Sequence, residues 1–183
     1  MTRRGPAAIR GRSGPLTTIR PATTEDLPAC QDVERAAGRM FIDVGMPDIA
    51  AHDPMSLDAM RAYQSDGRAW IADVDGRVVG YVLAEVVDGN GHIEEVSVDP
   101  AFGRKGIGRA LIERPVEWAA ACGHPAVTLT TFRDVPWNAP FYRRCRFADM
   151  DEDELGPEMR AKRTTEAGYG LDPDLRVCMR RSI

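Results

Sequence analysis

Hydrophobic and polar positions follow periods that change several times along this chain, and each change predicts a new element. Residues 17–20 form a short strand-like run that ends at Pro21. Thr23 or Thr24 can cap the helix that follows. The apolar positions of this helix have helical spacing, which favours a role in the core. They are Leu27, Cys30, Val33 and Ala37.

The middle of the chain predicts a run of antiparallel strands. Gly and Pro mark residues 41–54 as a loop, and residues 55–64 follow as a short helix capped by Ser56 or by the preceding Asp-Pro turn. Two runs rich in β-branched and aromatic residues are then joined by Asp75-Gly76, a strong hairpin signal. A second turn at residues 88–91 leads into a third strand.

A strand, a glycine-rich turn and a helix succeed one another in "VSVDPAFGRKGIGRALIERPVEW", residues 96–118. Glycine lets a ligand approach the backbone, and amides at the start of a helix bind anions, most often phosphates. Pro115 falls inside the predicted helix and is expected to kink it or end it early. Later runs predict a strand at residues 124–132, a short helix at 137–145 and a closing strand at 175–181.

Composition limits the class of protein. The 183 residues, 43% of them apolar, predict a single domain over residues 17–183. Residues 1–16 contain several arginines and no acidic residue, which predicts a flexible basic extension. A net charge of -4 disfavours a nucleic-acid partner. The histidines and cysteines show no metal-ligand spacing, so no metal is expected, and the absence of a membrane span or secretory signal predicts a cytoplasmic protein.

Common phosphate-binding motifs do not account for the glycine turn. A dinucleotide site would need an acidic residue at the end of the next strand, and the run "AVTLTTF" has none. The P-loop pattern G-x-x-x-x-G-K-S/T is also absent. A G-x-G on its own is also typical of a helix packed tightly against a strand.

Three segments in the right order resemble the GNAT superfamily of acyl-CoA-dependent N-acyltransferases. "VSVDP" followed by "GRKGIGRALI" is similar to its strand and pyrophosphate turn, Q/R-x-x-G-x-G/A, while "NAPFYRRCRF" and "TIRPATTEDLPA" resemble its later helix-and-strand segment and its opening. The resemblance implies an α+β fold with a mixed, mostly antiparallel central sheet flanked by helices. This sheet is splayed between its fourth and fifth strands, where acetyl-CoA lies.

The resemblance also implies which residues bind acetyl-CoA. The backbone of Val96, Ser97 and Val98 is expected to pair with the pantetheine arm. The first position of the motif is Gly103 in this sequence, and an arginine follows it. Asn138 resembles an asparagine that contacts the cofactor, although it is equally suited to cap the short helix. The residues expected around the pyrophosphate are Arg104, Lys105, Gly106, Ile107, Gly108 and Arg109.

Acetyl transfer needs a base for the amine and an acid for the departing thiolate. Tyr142 stands where the family has its thiolate-protonating tyrosine, while its spacing alone suits a core aromatic equally well. Glu94 and Glu95 are candidate bases, because a slip in the apolar alternation after Ile93 predicts a bulge that would aim carboxylates into the cleft. The alternative for either glutamate is an exposed strand edge, and His92 is a weaker candidate.

The resemblance implies an N-acetyltransferase, which we expect to move an acetyl group from acetyl-CoA to a primary amine of a small molecule by direct transfer in a ternary complex. Residues 38–56 and 149–174 are expected to form loops around the acceptor. A catalytically silent acyl-CoA-binding or sensing module, a protein N-acetyltransferase and an unrelated α+β binding protein stay open as alternatives. A homodimer also stays open, while no membrane partner is expected.

Overall fold

The computed structural model describes the backbone of residues 7–9 and the whole of residues 17–183. The predicted extension, residues 1–16, therefore lies outside the described residues except for Ala7–Ile9, which form a strand. Contacts divide the chain into two compact units. The first consists of the chain up to Leu83 with Glu95–Arg114, and the second of Ala84–Glu94 with Pro115–Ile183.

The first unit contains most of the N-terminal elements. Its strands β1, β2, β3 and β4 are antiparallel neighbours in that order. The chain supplies β1 (Ala7–Ile9), β2 (Thr17–Pro21), α1 (Leu27–Gly38), α2 (Pro47–Ala50), α3 (Leu57–Ser65), β3 (Ala69–Val74) and β4 (Arg77–Val87), followed by β5 (Asn90–Val98) and α4 (Ile107–Cys122). Strands β4 and β5 and helix α4 each continue into the second unit.

The second unit contains the remaining elements. They are β6 (Ala126–Phe132), α5 (Ala139–Arg144), β7 (Ala148–Asp149), α6 (Pro157–Gly168) and β8 (Arg176–Ser182). Strand β6 pairs in parallel with β5 over three residue pairs, from Gly91 with Val127 to Ile93 with Leu129. It pairs with β8 in antiparallel orientation, and β7 pairs with β8 in the same way. The predicted α+β class with a mixed, mostly antiparallel sheet is confirmed.

Local sequence signals account for the helix starts of the first unit. Thr23 and Asp26 form a capping box in the helical turn before α1. Ser56 accepts a hydrogen bond from the Ala59 amide at 3.2 Å and so caps α3, as predicted. The predicted stripe of α1 is largely confirmed, because Leu27, Cys30 and Val33 are buried while Ala37 is half-buried.

Two segments predicted as loops contain helices. Residues 41–54 include most of the helical turn Arg39–Val44 and all of α2. Residues 149–174 include α6, in which Met159 is the buried residue. A helix with one buried apolar side chain has no stripe that periodicity can detect. The loop prediction for both segments is therefore wrong.

Pro115 does not end its helix, so an early end is also wrong. Helix α4 runs from Ile107 to Cys122 with the proline inside it. Proline cannot donate to the carbonyl four residues earlier, at Leu111. The helix persists because Leu111 and Ala119 on either side of the proline are fully buried. No helix in the described part of the chain is long and apolar enough to span a membrane.

Two hairpins have the same turn chemistry, and one of them also starts a helix. Asp75-Gly76 and Asp88-Gly89 have positive φ at all four residues, as the Asp-Gly signals predict. The carboxylate of Asp88 in addition accepts hydrogen bonds from the amides of Glu158 and Met159, both at 3.0 Å. A turn residue 70 positions away in sequence thus caps the N-terminus of α6.

We expect Asp88→Gly to lower the free energy of unfolding by about 1–2 kcal/mol, because two amides of α6 lose their acceptor while the turn keeps its backbone conformation. Asp75→Gly is the matched control, since Asp75 has a φ of 51° and Asp88 a φ of 49°. Urea unfolding of both variants measures the difference. Equal losses in the two variants would contradict the capping role.

Candidate active site

The segment after β5 is held by its own hydrogen bonds before the glycine turn begins. Asp99 accepts from the Ala101 amide at 2.9 Å, which starts a helical turn over Pro100–Phe102. The other carboxylate oxygen of Asp99 accepts from the Arg77 guanidinium at 2.8 Å. The chain therefore enters the glycine turn from a fixed anchor.

The glycine turn leads directly into the start of α4. Gly106 has a φ of 82°, a conformation that glycine adopts without steric cost. The Ala110 amide donates to the Gly106 carbonyl at 3.1 Å, the first hydrogen bond of the helix. Ile107 and Gly108 lie in the first turn of the helix, where backbone amides point out of the N-terminus. Such an arrangement binds an anion.

Basic side chains surround these amides. Arg104, Lys105 and Arg109 are exposed. The ammonium of Lys105 lies 4.9 Å from the centroid of the Phe102 ring, which restricts this side chain next to the turn. The turn is thus positively charged on its exposed side.

The departure from the family motif at Gly103 has a structural counterpart. A Cβ at Gly103 would lie 3.1 Å from the Pro100 carbonyl oxygen, so a larger residue would require a small shift. Arg104 has a φ of 59°, which non-glycine residues rarely adopt. The motif expects this arginine at position 103. In this chain it is residue 104, and its backbone is strained.

Strand β5 is packed closely beside the turn. A Cβ at Gly80 would lie 3.0 Å from the Ser97 carbonyl oxygen and 3.0 Å from the Leu111 side chain. Ser97 is buried while Val96 and Val98 are half-buried. The polar residue, and not its apolar neighbours, therefore points to the more buried face of the strand. The Ser97 hydroxyl donates to the Glu95 carboxylate at 2.7 Å. The bulge at Glu94 stays a prediction.

Glu94 belongs to a compact charged cluster in the second unit. Its carboxylate accepts from the ammonium of Lys162 on α6, which also contacts Glu85 of β4 at 2.6 Å. Burial raises the pKa of Glu94, the ammonium of Lys162 opposes this shift, and the Glu85 carboxyl adds to it. Burial alone would lower the pKa of Lys162, but the two carboxylates together raise it above its ordinary value.

His92 lies in the same cluster as a neutral group. Complete burial lowers its pKa to about 3, and the charges of Lys162 and Arg176 act in the same direction. Its Nδ1 lies 2.9 Å from the Thr128 hydroxyl. Within the part of the chain that the structure describes, ligand atoms of Glu85, His92 and Glu94 lie within 4.8 Å of one another. A metal would have to replace Lys162 there.

A second charged group lies one turn further along α6. Glu166 accepts hydrogen bonds from the Thr130 hydroxyl of β6 and from the Arg176 guanidinium of β8. Arg176 also donates to Thr130 at 2.8 Å. Helix α6 therefore contacts four strands of the sheet through two side chains, Lys162 and Glu166.

Asn138 and Tyr142 lie together at the start of α5. Asn138 occupies the cap position, but its side chain makes no capping hydrogen bond, and its buried Oδ1 has no partner. Tyr142 is buried, and its ring centroid lies 5.4 Å from that of Phe141 and 5.9 Å from that of Phe147. Arg146 has a φ of 70°, a left-handed conformation that glycine usually adopts.

The acetyltransferase (GNAT) family matches residues 33–147, which is more than half of the chain. The protein therefore belongs to this family, and the predicted membership is confirmed. The match spans the glycine turn, the candidate base and Tyr142.

Curated relatives and solved structures agree with this membership. An uncharacterized N-acetyltransferase of Methanocaldococcus jannaschii is 33% identical over 95 residues, which cover 52% of this chain and 54% of that protein. An amino-acid acetyltransferase of Mycobacterium tuberculosis is 27% identical over 146 residues, which cover 77% of this chain and 74% of that protein.

The N-acetylglutamate synthase of Neisseria gonorrhoeae, solved with coenzyme A and N-acetyl-glutamate, has a similar fold. Its TM-score is 0.68 at 18% identity, and the alignment covers 91% of this chain and 35% of that chain. This likeness concerns the fold. The chain spans about half the length of the archaeal relative.

Sequence reasoning missed Glu85 and Lys162. Glu85 interrupts the otherwise apolar end of β4, which is a signal for a special role. Lys162 lies in a segment whose polar composition masks its helix. Its partners are 77 and 68 positions away, and no local pattern reveals such a pairing.

Replacing the strained Arg104 should change acetyl-CoA affinity without a comparable change in the free energy of unfolding. We expect Arg104→Gly to leave the free energy of unfolding within about 1 kcal/mol of the parent, because relief of the positive φ offsets the entropy of glycine. Acetyl-CoA affinity should fall by about tenfold through loss of a charged donor. Calorimetric titration measures the affinity.

Arg146→Gly is the matched control, because it makes the same backbone change outside the turn. It should bind acetyl-CoA like the parent. If Arg104→Gly also retains parental affinity, the side chain of Arg104 has no part in binding the anion.

Proposed function

We propose that this protein transfers the acetyl group of acetyl-CoA to a primary amine of a small molecule by direct transfer in a ternary complex. The observation that carries the proposal is the turn before α4, where Gly106 has a positive φ, a helix begins and the basic side chains of the turn are exposed. Membership in the acetyltransferase family gives this anion site its interpretation.

The proposed co-substrate, acetyl-CoA, supplies the acetyl group as an activated thioester. Arg104, Lys105, Gly106, Ile107, Gly108 and Arg109 would hold its pyrophosphate. The backbone of Val96, Ser97 and Val98 would pair with the pantetheine arm. The unpartnered amide oxygen of Asn138 is suited to accept a hydrogen bond from an amide of that arm.

Direct transfer is supported by the state of the cysteines. All four cysteines are free, and burial raises the pKa of Cys30 to about 12 and that of Cys178 to about 11. These two thiols are therefore poor nucleophiles at neutral pH. In the proposed reaction Glu94 takes the proton of the acceptor amine, with Glu95 as the alternative base, and Tyr142 protonates the departing thiolate.

The small-molecule class of acceptor is supported by what similar proteins are named for. The relative of Mycobacterium tuberculosis is named for amino acids, and the structure from Neisseria gonorrhoeae contains N-acetyl-glutamate. A protein substrate is the alternative for the same chemistry. A silent acyl-CoA-binding module is the alternative from another class, because Lys162 already neutralises a candidate base.

A panel assay tests the proposal. Acetyl-CoA at 100 times its dissociation constant should stabilise the protein by about 2.7 kcal/mol in a thermal-shift scan. Thiol release should then depend on an added amine, and the panel should include amino acids, polyamines and a peptide with a free N-terminus. Binding without release for every amine would favour the silent module. Absence of binding would contradict the proposed function.

Tyr142→Phe tests the acid. The change keeps the ring contacts with Phe141 and Phe147 and removes the hydroxyl. We expect acetyl-CoA affinity close to that of the parent and a turnover reduced by roughly 10²–10⁴-fold. Steady-state kinetics with the accepted amine give the answer. Unchanged turnover would identify Tyr142 as a core aromatic only.

A further inference from the structure

Two carboxylates on adjacent strands share one cation in the second unit. Glu85 and Glu94 both contact the ammonium of Lys162, and their carboxyl groups lie within 4.8 Å of each other. The three side chains are 18–27% exposed, so solvent reaches them without fully screening their charges. We infer that Glu85 and Glu94 act as one proton-accepting pair in the acetyl transfer, positioned by Lys162.

The inference rests on the proposed function, because it takes Glu94 as the base of that reaction. It adds Glu85 as a residue that tunes the base and Lys162 as the residue that positions both. Neither residue is within the segments that the sequence marked for catalysis.

Charge counting supports a shared proton. The two carboxylates and one ammonium leave a net charge of -1 when both glutamates are ionised. Neutral His92 adds nothing to this sum. Arg176 of β8, whose charge acts on His92, is itself paired with Glu166 of α6. One more positive charge is therefore favourable, and a proton supplies it.

A pair with this charge suits a general base. Two like charges held close together titrate as a unit, and the first proton binds more readily than to an isolated carboxylate. Burial also raises the pKa of Glu94. A base is most effective when its proton affinity approaches the operating pH, which an isolated exposed glutamate does not reach.

The proposed step is balanced in protons and electrons. The pair takes one proton from the acceptor ammonium, which frees the nitrogen lone pair. That lone pair forms the bond from nitrogen to the acetyl carbon, and the bond from carbon to sulfur breaks. The thiolate that leaves takes a proton from Tyr142, and the second proton that the nitrogen loses as the amide forms returns Tyr142 to its protonated state.

Opposite shifts of the pH profile test the pair. The kcat/KM should rise with pH as the base ionises. Glu85→Gln removes a like charge, so this rise should move to lower pH by about one unit. Lys162→Met removes the opposite charge, so the rise should move to higher pH by about one unit or more. A residue with only a structural role would change the rate without shifting the profile in either direction.

Two control variants accompany this measurement. Lys162→Arg keeps the charge and should restore the parental profile. Arg163→Met removes the ion pair with Glu152 from the same helix and should leave the profile unchanged. Shifts of the same sign in Glu85→Gln and Lys162→Met, or no shift in either, would overturn the inference.

A second readout does not need turnover. Because the pKa of Glu94 is raised, its contribution to stability is complete below the ordinary value of 4.5 and is lost as pH rises through the folded value. The free energy of unfolding should therefore decline with pH in this range, and the decline should be shallower in Glu85→Gln. An equal decline in both proteins would also overturn the inference. If no amine is acetylated while the declines differ, the proposed function fails and the shared proton stands.

Discussion

The second unit depends on one electrostatic arrangement, the contact of the Lys162 ammonium with carboxylates from two sheet strands. Two carboxylates largely withdrawn from water repel each other, and a cation between them offsets much of that cost. Removing the cation would leave two neighbouring carboxylates without the charge that offsets their repulsion. Helix α6 is therefore bound to the sheet by charge as well as by its buried apolar side chain, Met159.

The remaining contacts of α6 fix its orientation in the same way. Glu166 lies one turn after Lys162 and meets the opposite charge on the sheet, Arg176. Asp88 caps the N-terminus of the helix from the hairpin turn, and the carboxylate of Glu158 accepts from the Asp88 amide in return. Rotating the helix would bring like charges together. Complementary charge thus specifies the position of a helix whose sequence has no apolar stripe.

Features that depend on residues close together in sequence could be predicted, while those that depend on distant residues could not. Short-range signals gave the hairpin turns, the capped helices and the glycine turn, because each depends on residues within a few positions of one another. Helix α6 and the role of Lys162 depend on partners about 70 positions away, which no local pattern contains. The prediction that Pro115 ends its helix early was wrong for a related reason. Burial of the turns on either side of the proline outweighed its local preference against helix.

The structure also gives the two candidate bases different surroundings. Adjacent residues of a strand point to opposite faces, and residues two apart share a face. Glu95 accepts from Ser97, two positions on, while Glu94 contacts Lys162. Burial raises the pKa of Tyr81, and the charge of Glu95 adds to that shift, which identifies Glu95 as a neighbour of the first unit's core.

Different groups therefore surround the two glutamates. The ammonium of Lys162 and the carboxyl of Glu85 act on the pKa of Glu94. The Glu95 carboxylate accepts from the Ser97 hydroxyl and lies near the buried Tyr81. A proton acceptor must gain and lose charge in each cycle, and a cluster that already balances two carboxylates against one ammonium tolerates that change at least cost. This reasoning favours Glu94 over Glu95 as the residue on which the proton first resides.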